Sequence, residues 1–202
     1  MMSTITSLLI DSLLNVMIAA PVIWCWQRSF HRDSGAGHRW LAVLFSCALA
    51  EIFALTGIPS VWRLNLDPAI NLIPFDGLLA SPVQFFLNIL LFLPVGILAP
   101  LIWSKLGHLK NILLLGGGLS CFIEFMQLFN FRATDLDDLI ANTAGAVLGF
   151  ALVKLIAGKR IGQSQKTGNK EGREVLVLCL LVFLINFTVQ PLLSDWVWSF
   201  LV

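Results

Sequence analysis

Long hydrophobic runs separated by short polar connections make up most of this chain. A transmembrane helix needs about 20 largely apolar residues, and six stretches of the sequence meet that requirement. They run roughly Ile5–Trp26, Trp40–Ile58, Pro82–Trp103, Ile112–Asn130, Leu136–Ala157 and Val175–Leu193. We therefore predict an all-α, polytopic integral membrane protein, in which residues 1–202 form one membrane domain with about six transmembrane helices.

The composition supports a membrane protein and leaves no room for a soluble catalytic domain. Of the 202 residues, 57% are hydrophobic and 12% are charged, whereas about 25% of the residues in a soluble domain are charged. The first segment is interpreted as a retained helix and not as a signal peptide. It is long, no basic region precedes it, and Pro21 follows Ala19 and Ala20. Membrane lipid is the expected partner, and nucleic acid is not expected.

Basic residues are unevenly distributed between the connections, and this distribution predicts the topology. In chain order, the five connections and the C-terminal tail contain three, one, two, one, six and zero lysine plus arginine residues. Alternate connections lie on the same side of a membrane, so one side carries eleven basic residues and the other carries two. Because cytoplasmic loops carry the excess of basic residues, we predict that both termini face outside. Residues 158–173 are then a flexible, basic cytoplasmic loop.

Two of the predicted helices carry polar and small residues along one face. Spacings of three and four residues place side chains on the same side of a helix. The fourth helix holds Gly117, Ser120, Glu124 and Gln127 in this way, and the fifth holds Asp135, Asp138, Asn142, Gly145 and Gly149. Carboxylates are costly in hydrocarbon and usually indicate function. Nine of the twelve acidic residues fall outside or in the outer half of the predicted helices, so we expect this polar site to face the extracytoplasmic side.

Four motifs between residues 71 and 149 carry a family resemblance. They are Asn71-Leu72-Ile73-Pro74-Phe75, then Asn88-Ile89-Leu90-Leu91-Phe92-Leu93-Pro94-Val95-Gly96, then Glu124-x-x-Gln127, and finally Arg132-x-x-Asp135-x-Asp137-Asp138-Leu139-Ile140-x-Asn142-Thr143-x-Gly145-x-x-x-Gly149. In this order and spacing the motifs resemble the VanZ-like family. The resemblance covers residues 71–154 as a VanZ-like core, and it leaves residues 175–193 as an added C-terminal transmembrane helix.

The resemblance implies a multi-pass protein of the cell membrane with a role in the cell envelope. The founding member of the VanZ-like family is an accessory glycopeptide-resistance protein, so lower susceptibility to teicoplanin-type antibiotics is implied here. No established reaction is implied. The motifs and the polar helix faces together give the candidate ligand-binding residues, which are Asn71, Pro74, Phe75, Asn88, Glu124, Gln127, Arg132, Asp135, Asp138 and Asn142.

Several of these residues also have a structural interpretation. Asp135 and Asp138 stand where the fifth helix begins, so their carboxylates could cap its free backbone amides. Asn88 could form a hydrogen bond between helices. Helix packing is the interpretation of a second set of residues, because glycines four apart allow close approach and a proline kinks its helix. This set consists of Pro94, Gly96, Gly145 and Gly149.

Three functions fit this pattern. The first is binding of a lipid-linked cell-wall intermediate or a lipoglycopeptide, with Arg132 holding a phosphate or carboxylate group. The alternative is a membrane-embedded enzyme that modifies a lipid or cell-wall substrate. It would use acid–base chemistry or a divalent cation held by the carboxylates of Asp135, Asp137, Asp138 and Glu124. Its catalytic candidates are Glu124, Asp138 and Arg132. The third is a small transporter or a structural partner of an envelope complex.

We expect no cofactor and no metal site for the binding function. The three histidines lie in predicted cytoplasmic connections, away from the polar helix faces, and the four cysteines stand alone without metal-ligand spacing.

Overall fold

The computed structural model describes residues 4–66, 69–130, 134–158 and 170–201. The α-helices are α1 (Thr4–Phe30), α2 (Ala36–Thr56), α3 (Asp76–Ala80), α4 (Pro82–Ile102), α5 (Leu109–Gln127), α6 (Leu136–Ala157), α7 (Lys170–Leu184) and α8 (Gln190–Leu201). A short 3-10 helix spans Ser104–Leu106, and a π-helical turn at Ile185–Val189 joins α7 to α8. Two strands of two residues each, β1 (Ile70–Asn71) and β2 (Thr134–Asp135), are also present.

The predicted membrane fold is confirmed. Among the described residues, six helices are long and apolar enough to cross a membrane, and the sixth runs over Glu171–Phe200 through the π-helical turn. Large apolar side chains remain exposed along these helices, as at Leu155 (83%) and Ile156 (85%). Such surfaces suit contact with lipid tails. Most of the basic loop predicted at 158–173 lies outside the described residues, and so does Arg132.

Contacts divide the chain into two compact units. The first unit contains the described residues of Met1–Leu64 and Val175–Val202. Its helices α1 and α2 pack together, and polar side chains join them inside the predicted membrane region. Asn15 Nδ2 donates to the carbonyl oxygen of Ala50 (2.7 Å), and Ser12 Oγ donates to Glu51 Oε2 (2.7 Å). These two hydrogen bonds link α1 to α2 where no water is available to the side chains.

The π-helical turn of the first unit has a local cause in the sequence. Pro191 has no backbone N–H and its ring disturbs the carbonyl four residues earlier, which is that of Phe187. This carbonyl accepts a hydrogen bond from the amide of Val61 (2.9 Å). The next carbonyl, of Thr188, accepts from Trp62 Nε1 (3.2 Å). Residues of the connection after α2 therefore donate hydrogen bonds to carbonyl groups that the irregular helix leaves without a helical partner.

The second unit, Asn65–Glu174, is built on α4, α5 and α6. Helices α4 and α6 form its most extensive pair, and α5 packs on α6. The backbones of α4 and α6 approach so closely that a Cβ added at Gly149 would overlap the carbonyl oxygen of Leu93. A Cβ at Gly145 would likewise overlap that of Ile89, and one at Gly96 that of Ala146. Small residues are thus required where the two helices cross.

The two short strands bring distant connections together at one end of this unit. Strand β1 pairs in parallel with β2, with Ile70 opposite Thr134 and Asn71 opposite Asp135. The amide of Thr134 donates to the carbonyl oxygen of Ala69 (2.9 Å). The segment before α3 is therefore fixed beside the start of α6.

Candidate functional site

The carboxylate of Asp135 caps the N-terminus of α6. It accepts a hydrogen bond from the amide of Asp137 (2.9 Å), as expected for an N-cap residue with an extended backbone. The amide of Asp135 in turn donates to Glu124 Oε2 (2.9 Å). Glu124 is buried near the end of α5, with 6% of its surface exposed. The sequence offered capping and ligand contact as alternatives for Asp135, and the structure places its carboxylate in the capping geometry.

Asp137 performs a similar task for the short helix α3. Its Oδ1 accepts from the amide of Phe75 (2.5 Å), and its Oδ2 accepts from the amide of Leu78 (3.1 Å). The residue is 2% exposed. Phe75 has a positive φ of 64°, a left-handed conformation that costs a non-glycine residue about 1–2 kcal/mol. The two hydrogen bonds hold this turn against the first turn of α6.

Asp138 joins α6 to α4. Asn88 Nδ2 donates to Asp138 Oδ1 (2.6 Å), and Gln84 Nε2 donates to Asn88 Oδ1 (3.4 Å). Asn88 is buried at 5% exposure, whereas Asp138 is half-buried and Gln84 is exposed. The half-buried carboxylate of Asp138 therefore lies between the buried side chain of Asn88 and the solvent-exposed side of the unit.

The polar faces predicted on two helices meet in the structure. Asn142 Nδ2 of α6 donates to Ser120 Oγ of α5 (3.0 Å), and both residues are buried. One turn further along, Gly117 lies beside Thr143, whose Oγ1 would be 3.6 Å from a Cβ at that glycine. Residues of the two faces thus pack against each other along α5 and α6.

Asn71 connects the strand pair to the acidic residues. Its Nδ2 lies 3.4 Å from Asp135 Oδ2 and 3.3 Å from Asp76 Oδ2, within hydrogen-bonding distance of both. Its Oδ1 accepts from the amide of Ile73 (3.1 Å), which stabilises the turn into the Pro74-Phe75 segment. The first motif is therefore tied to the fourth by side-chain contacts.

A cavity of about 180 Å³ opens among these residues. It lies where α4 begins, α5 ends and α6 begins, beside α3. Its lining residues are Gly77, Ser81, Gln84, Phe85, Gln127, Asp135, Asp137 and Asp138. Three carboxylates, two amides and a hydroxyl therefore face one space, a set that suits ligand groups with N–H or O–H donors.

The structure brings together most of the candidate ligand-binding residues, although not all of them reach the cavity. Gln127, Asp135 and Asp138 line it. Other candidates support the lining residues through the contacts given above; these are Asn71, Asn88 and Glu124. Pro74 and Phe75 are exposed in the turn before α3. Asn142 lies deeper between α5 and α6, and Arg132 lies outside the described residues.

The candidate ligand-binding residues did not include Ser81, Gln84, Phe85 and Gly77, and Asp137 was named only as a possible cation ligand of the alternative enzyme. Asp137 does not share the helix face of Asp135 and Asp138, so the spacing argument passed over it. Its partners lie 59 and 62 residues earlier in the chain. Gln84 could have been found, because it lies one turn before Asn88 on the same helix.

Carboxylates are numerous at this end of the unit, but their arrangement does not resemble a metal site. Within the described part of the chain, no group of three or more histidine, cysteine, aspartate or glutamate side chains could hold a metal ion. The oxygens of Asp135 and Asp137 face amide donors of the protein itself.

Comparison with known protein families gives a match to this chain. A family model described as VanZ/LLP1 matches residues 45–157, more than half of the chain. The match includes the core expected at 71–154 and begins earlier, within α2. No curated protein matches the chain, and no solved structure does. On the strength of this match and of its six apolar helices, the chain belongs to the VanZ/LLP1 family and is a multi-pass membrane protein of the cell envelope.

Proposed function

We propose that the protein binds a polar group of a cell-envelope ligand in the 180 Å³ cavity and thereby lowers susceptibility to teicoplanin-type antibiotics. The ligand is a lipid-linked cell-wall intermediate or the lipoglycopeptide itself, and the cavity faces the extracytoplasmic side. One observation carries the proposal. Polar side chains from three helices, each long enough to span a membrane, surround one open space at the helix ends, together with Ser81 and Asp135 from the adjoining connections.

The size of the cavity limits what it can receive. Pockets for drug-sized ligands are about 300–1,000 Å³, so a cavity of 180 Å³ admits only one part of a large ligand. A sugar ring or the end of a peptide is the kind of group that fits. The rest of the ligand would extend over exposed apolar side chains nearby, which include Phe75 (51%), Leu79 (83%) and Phe86 (58%). An acyl chain has a suitable surface there.

The lining chemistry favours a ligand that donates hydrogen bonds. Carboxylates of Asp135 and Asp138 and the amides of Gln84 and Gln127 offer acceptor oxygens to hydroxyl, amide or ammonium groups. We assign to Arg132, three residues before Asp135 in the sequence, the contact with a phosphate or carboxylate of the same ligand. Donor groups and an anionic group occur together in lipid-linked sugars and in glycopeptides.

Binding is favoured over catalysis by the state of the carboxylates. Acid–base chemistry needs carboxylates that can exchange protons with a substrate. Asp135 and Asp137 both accept hydrogen bonds from backbone amides, so these carboxylates already hold turns of the protein itself. Asp138, held by the side chain of Asn88, remains the candidate for an acid–base role.

The test measures teicoplanin susceptibility of a sensitive Gram-positive host that expresses wild type, Asp138→Asn or Gln127→Ala. Membrane levels are matched by immunoblot, and Asp33→Asn, at an exposed position that does not line the cavity, serves as the control. We expect wild type and Asp33→Asn to raise the inhibitory concentration and the two cavity variants to lose most of that effect. Equal protection by all four proteins would contradict the assignment of the site.

Two further measurements identify the ligand and distinguish a binding protein from an enzyme. Teicoplanin added to the purified protein in detergent should bind to wild type and bind Asp138→Asn more weakly, if the antibiotic is the ligand. Membrane lipids of the expressing host are also compared by mass spectrometry. A new lipid product that is present with wild type and absent with Asp138→Asn would favour the enzyme over the binding protein.

A further inference from the structure

A second polar cavity lies in the first unit and is basic. It is a groove of about 640 Å³ lined by Cys25, Arg28, Ser29, Arg32 and Arg39. Arg28 and Ser29 belong to the last turn of α1, Arg32 lies two residues after its end, and Arg39 lies in the first turn of α2. The groove therefore combines both sides of the connection between two membrane helices.

The arginine side chains of this groove have no acidic partners in the described part of the chain. Arg28, Arg32 and Arg39 form no ion pair there, although Asp33 lies in the same connection. Arg39 Nη1 donates to the carbonyl oxygen of Ser34 (2.8 Å), which orients its guanidinium group. Three guanidinium groups around one space repel each other, and an anion between them would remove that repulsion.

The surroundings place the groove at the level of lipid headgroups. Trp24 and Trp40 pack with ring centroids 4.6 Å apart, and the ring of Trp26 lies 4.8 Å from that of His31. Tryptophan residues concentrate at membrane–water interfaces. On α1, Val22 (43%) and Phe30 (73%) expose apolar side chains that could contact acyl chains. A phosphate in this groove can thus belong to a molecule whose tail lies in the bilayer.

We infer that this groove binds the phosphate of an anionic membrane lipid. Guanidinium groups bind phosphate oxygens in a forked, charge-assisted geometry, and Ser29 adds a hydroxyl donor. The excess of basic residues predicts that this connection faces the cytoplasm, where the leaflet carries anionic lipid. The site uses none of the residues of the candidate ligand cavity.

The test uses native mass spectrometry of the full chain in detergent, titrated with phosphatidylglycerol or with phosphatidylcholine. Arg28→Gln/Arg32→Gln removes two positive charges from the groove, and neither side chain forms a hydrogen bond within the described residues. Lys110→Gln/Lys154→Gln removes the same charge from exposed positions elsewhere and is the matched control. Arg39→Gln is measured as a third variant.

We expect one tightly bound phosphatidylglycerol per wild-type chain and weaker binding of phosphatidylcholine. Loss of two charge-assisted contacts should weaken phosphatidylglycerol binding about tenfold or more in the groove variant, with little change in the lysine control. Equal weakening in both double variants would overturn the inference, because overall surface charge and not the groove would then explain lipid binding. The lipid assignment also fails if inorganic phosphate alone occupies the groove as tightly as the lipid does.

Discussion

The first half of α6 is fixed by hydrogen bonds of polar side chains. Its second half is fixed by close backbone packing at glycine residues. From Asp135 to Asn142 the helix is fixed through hydrogen bonds to α3, α4 and α5. From Gly145 onward its backbone lies directly against the backbone of α4. Both halves contact α4, and the 180 Å³ cavity lies beside the polar half.

The difference reflects what each kind of contact permits. Backbone packing without Cβ atoms leaves no volume for a ligand and tolerates no added atom. Hydrogen-bonded side chains keep helices at a greater distance, and their spare acceptor oxygens can meet a ligand. The glycine half therefore serves as the rigid support on which the polar half is positioned.

The largest effect is expected from a methyl group in the glycine half. Gly149→Ala would place a Cβ on the carbonyl oxygen of Leu93, and neither backbone can move without separating α4 from α6. We expect a loss of stability of about 3 kcal/mol or more, at the upper end of overpacking costs. Thermal unfolding in detergent and the yield of monodisperse protein measure this loss.

The matched control is Gly118→Ala in α5. No heavy atom of the described residues lies within 4 Å of a Cβ at that position, beyond its own helix and neighbours. An unchanged or slightly raised melting temperature is expected there, since alanine favours a helix by up to about 1 kcal/mol over glycine. A Gly149→Ala protein as stable as this control would disprove the close packing of α4 and α6.

A smaller effect is expected at Asp137 in the polar half. Asp137→Ala leaves the amides of Phe75 and Leu78 without their acceptor, which should cost about 2–3 kcal/mol. Asp137→Asn keeps one acceptor oxygen and should cost about half as much. Hydrogen exchange of residues 73–80 should accelerate in the alanine variant before the rest of the protein responds. Unchanged exchange in that segment would show that Asp137 does not hold α3.

The contact between Asn88 and Asp138 should contribute less again. A double-mutant cycle with Asn88→Ala, Asp138→Ala and both together measures its coupling energy. We expect about 1–2 kcal/mol, the upper range for side-chain hydrogen bonds between membrane helices. A coupling near zero would mean that the 2.6 Å contact contributes nothing to stability and that Asp138 is available to a ligand.

The smallest effect is expected deeper in the polar half, at Ser120. Ser120→Ala removes the acceptor of Asn142 Nδ2, and the mean contribution of such membrane hydrogen bonds is about 0.6 kcal/mol. Ser46→Ala is a suitable control, because among the described residues that hydroxyl donates to the carbonyl of Ala42 in its own helix. A larger loss at Ser46 than at Ser120 would place the more important polar contact outside the second unit.

Sequence patterns predicted well those features that depend on neighbouring residues. The membrane helices follow from runs of about 20 apolar residues, and each predicted run corresponds to an apolar helix in the structure. The capping geometry at Asp135 was one of two stated alternatives, because an aspartate before an apolar helical run is a local signal. The spacing of Ser120 and Asn142 placed each on a polar helix face, and these faces do meet.

Features that depend on distant residues could not be predicted in the same way. Helix α3 has five residues and is too short to show a helical period. The strands β1 and β2 have two residues each, so they show no alternation either. The role of Asp137 depends on a turn 59 to 62 residues earlier in the chain.

The sequence by itself determined that this protein crosses the membrane several times, and it determined which residues lie together on each helix face. Both properties depend on the hydrophobicity and spacing of neighbouring residues. Only the tertiary structure decided which carboxylates hold backbone amides and which line the cavity. That choice depends on where α3 and α4 pack against α6, and contacts between segments far apart in the chain fix their positions.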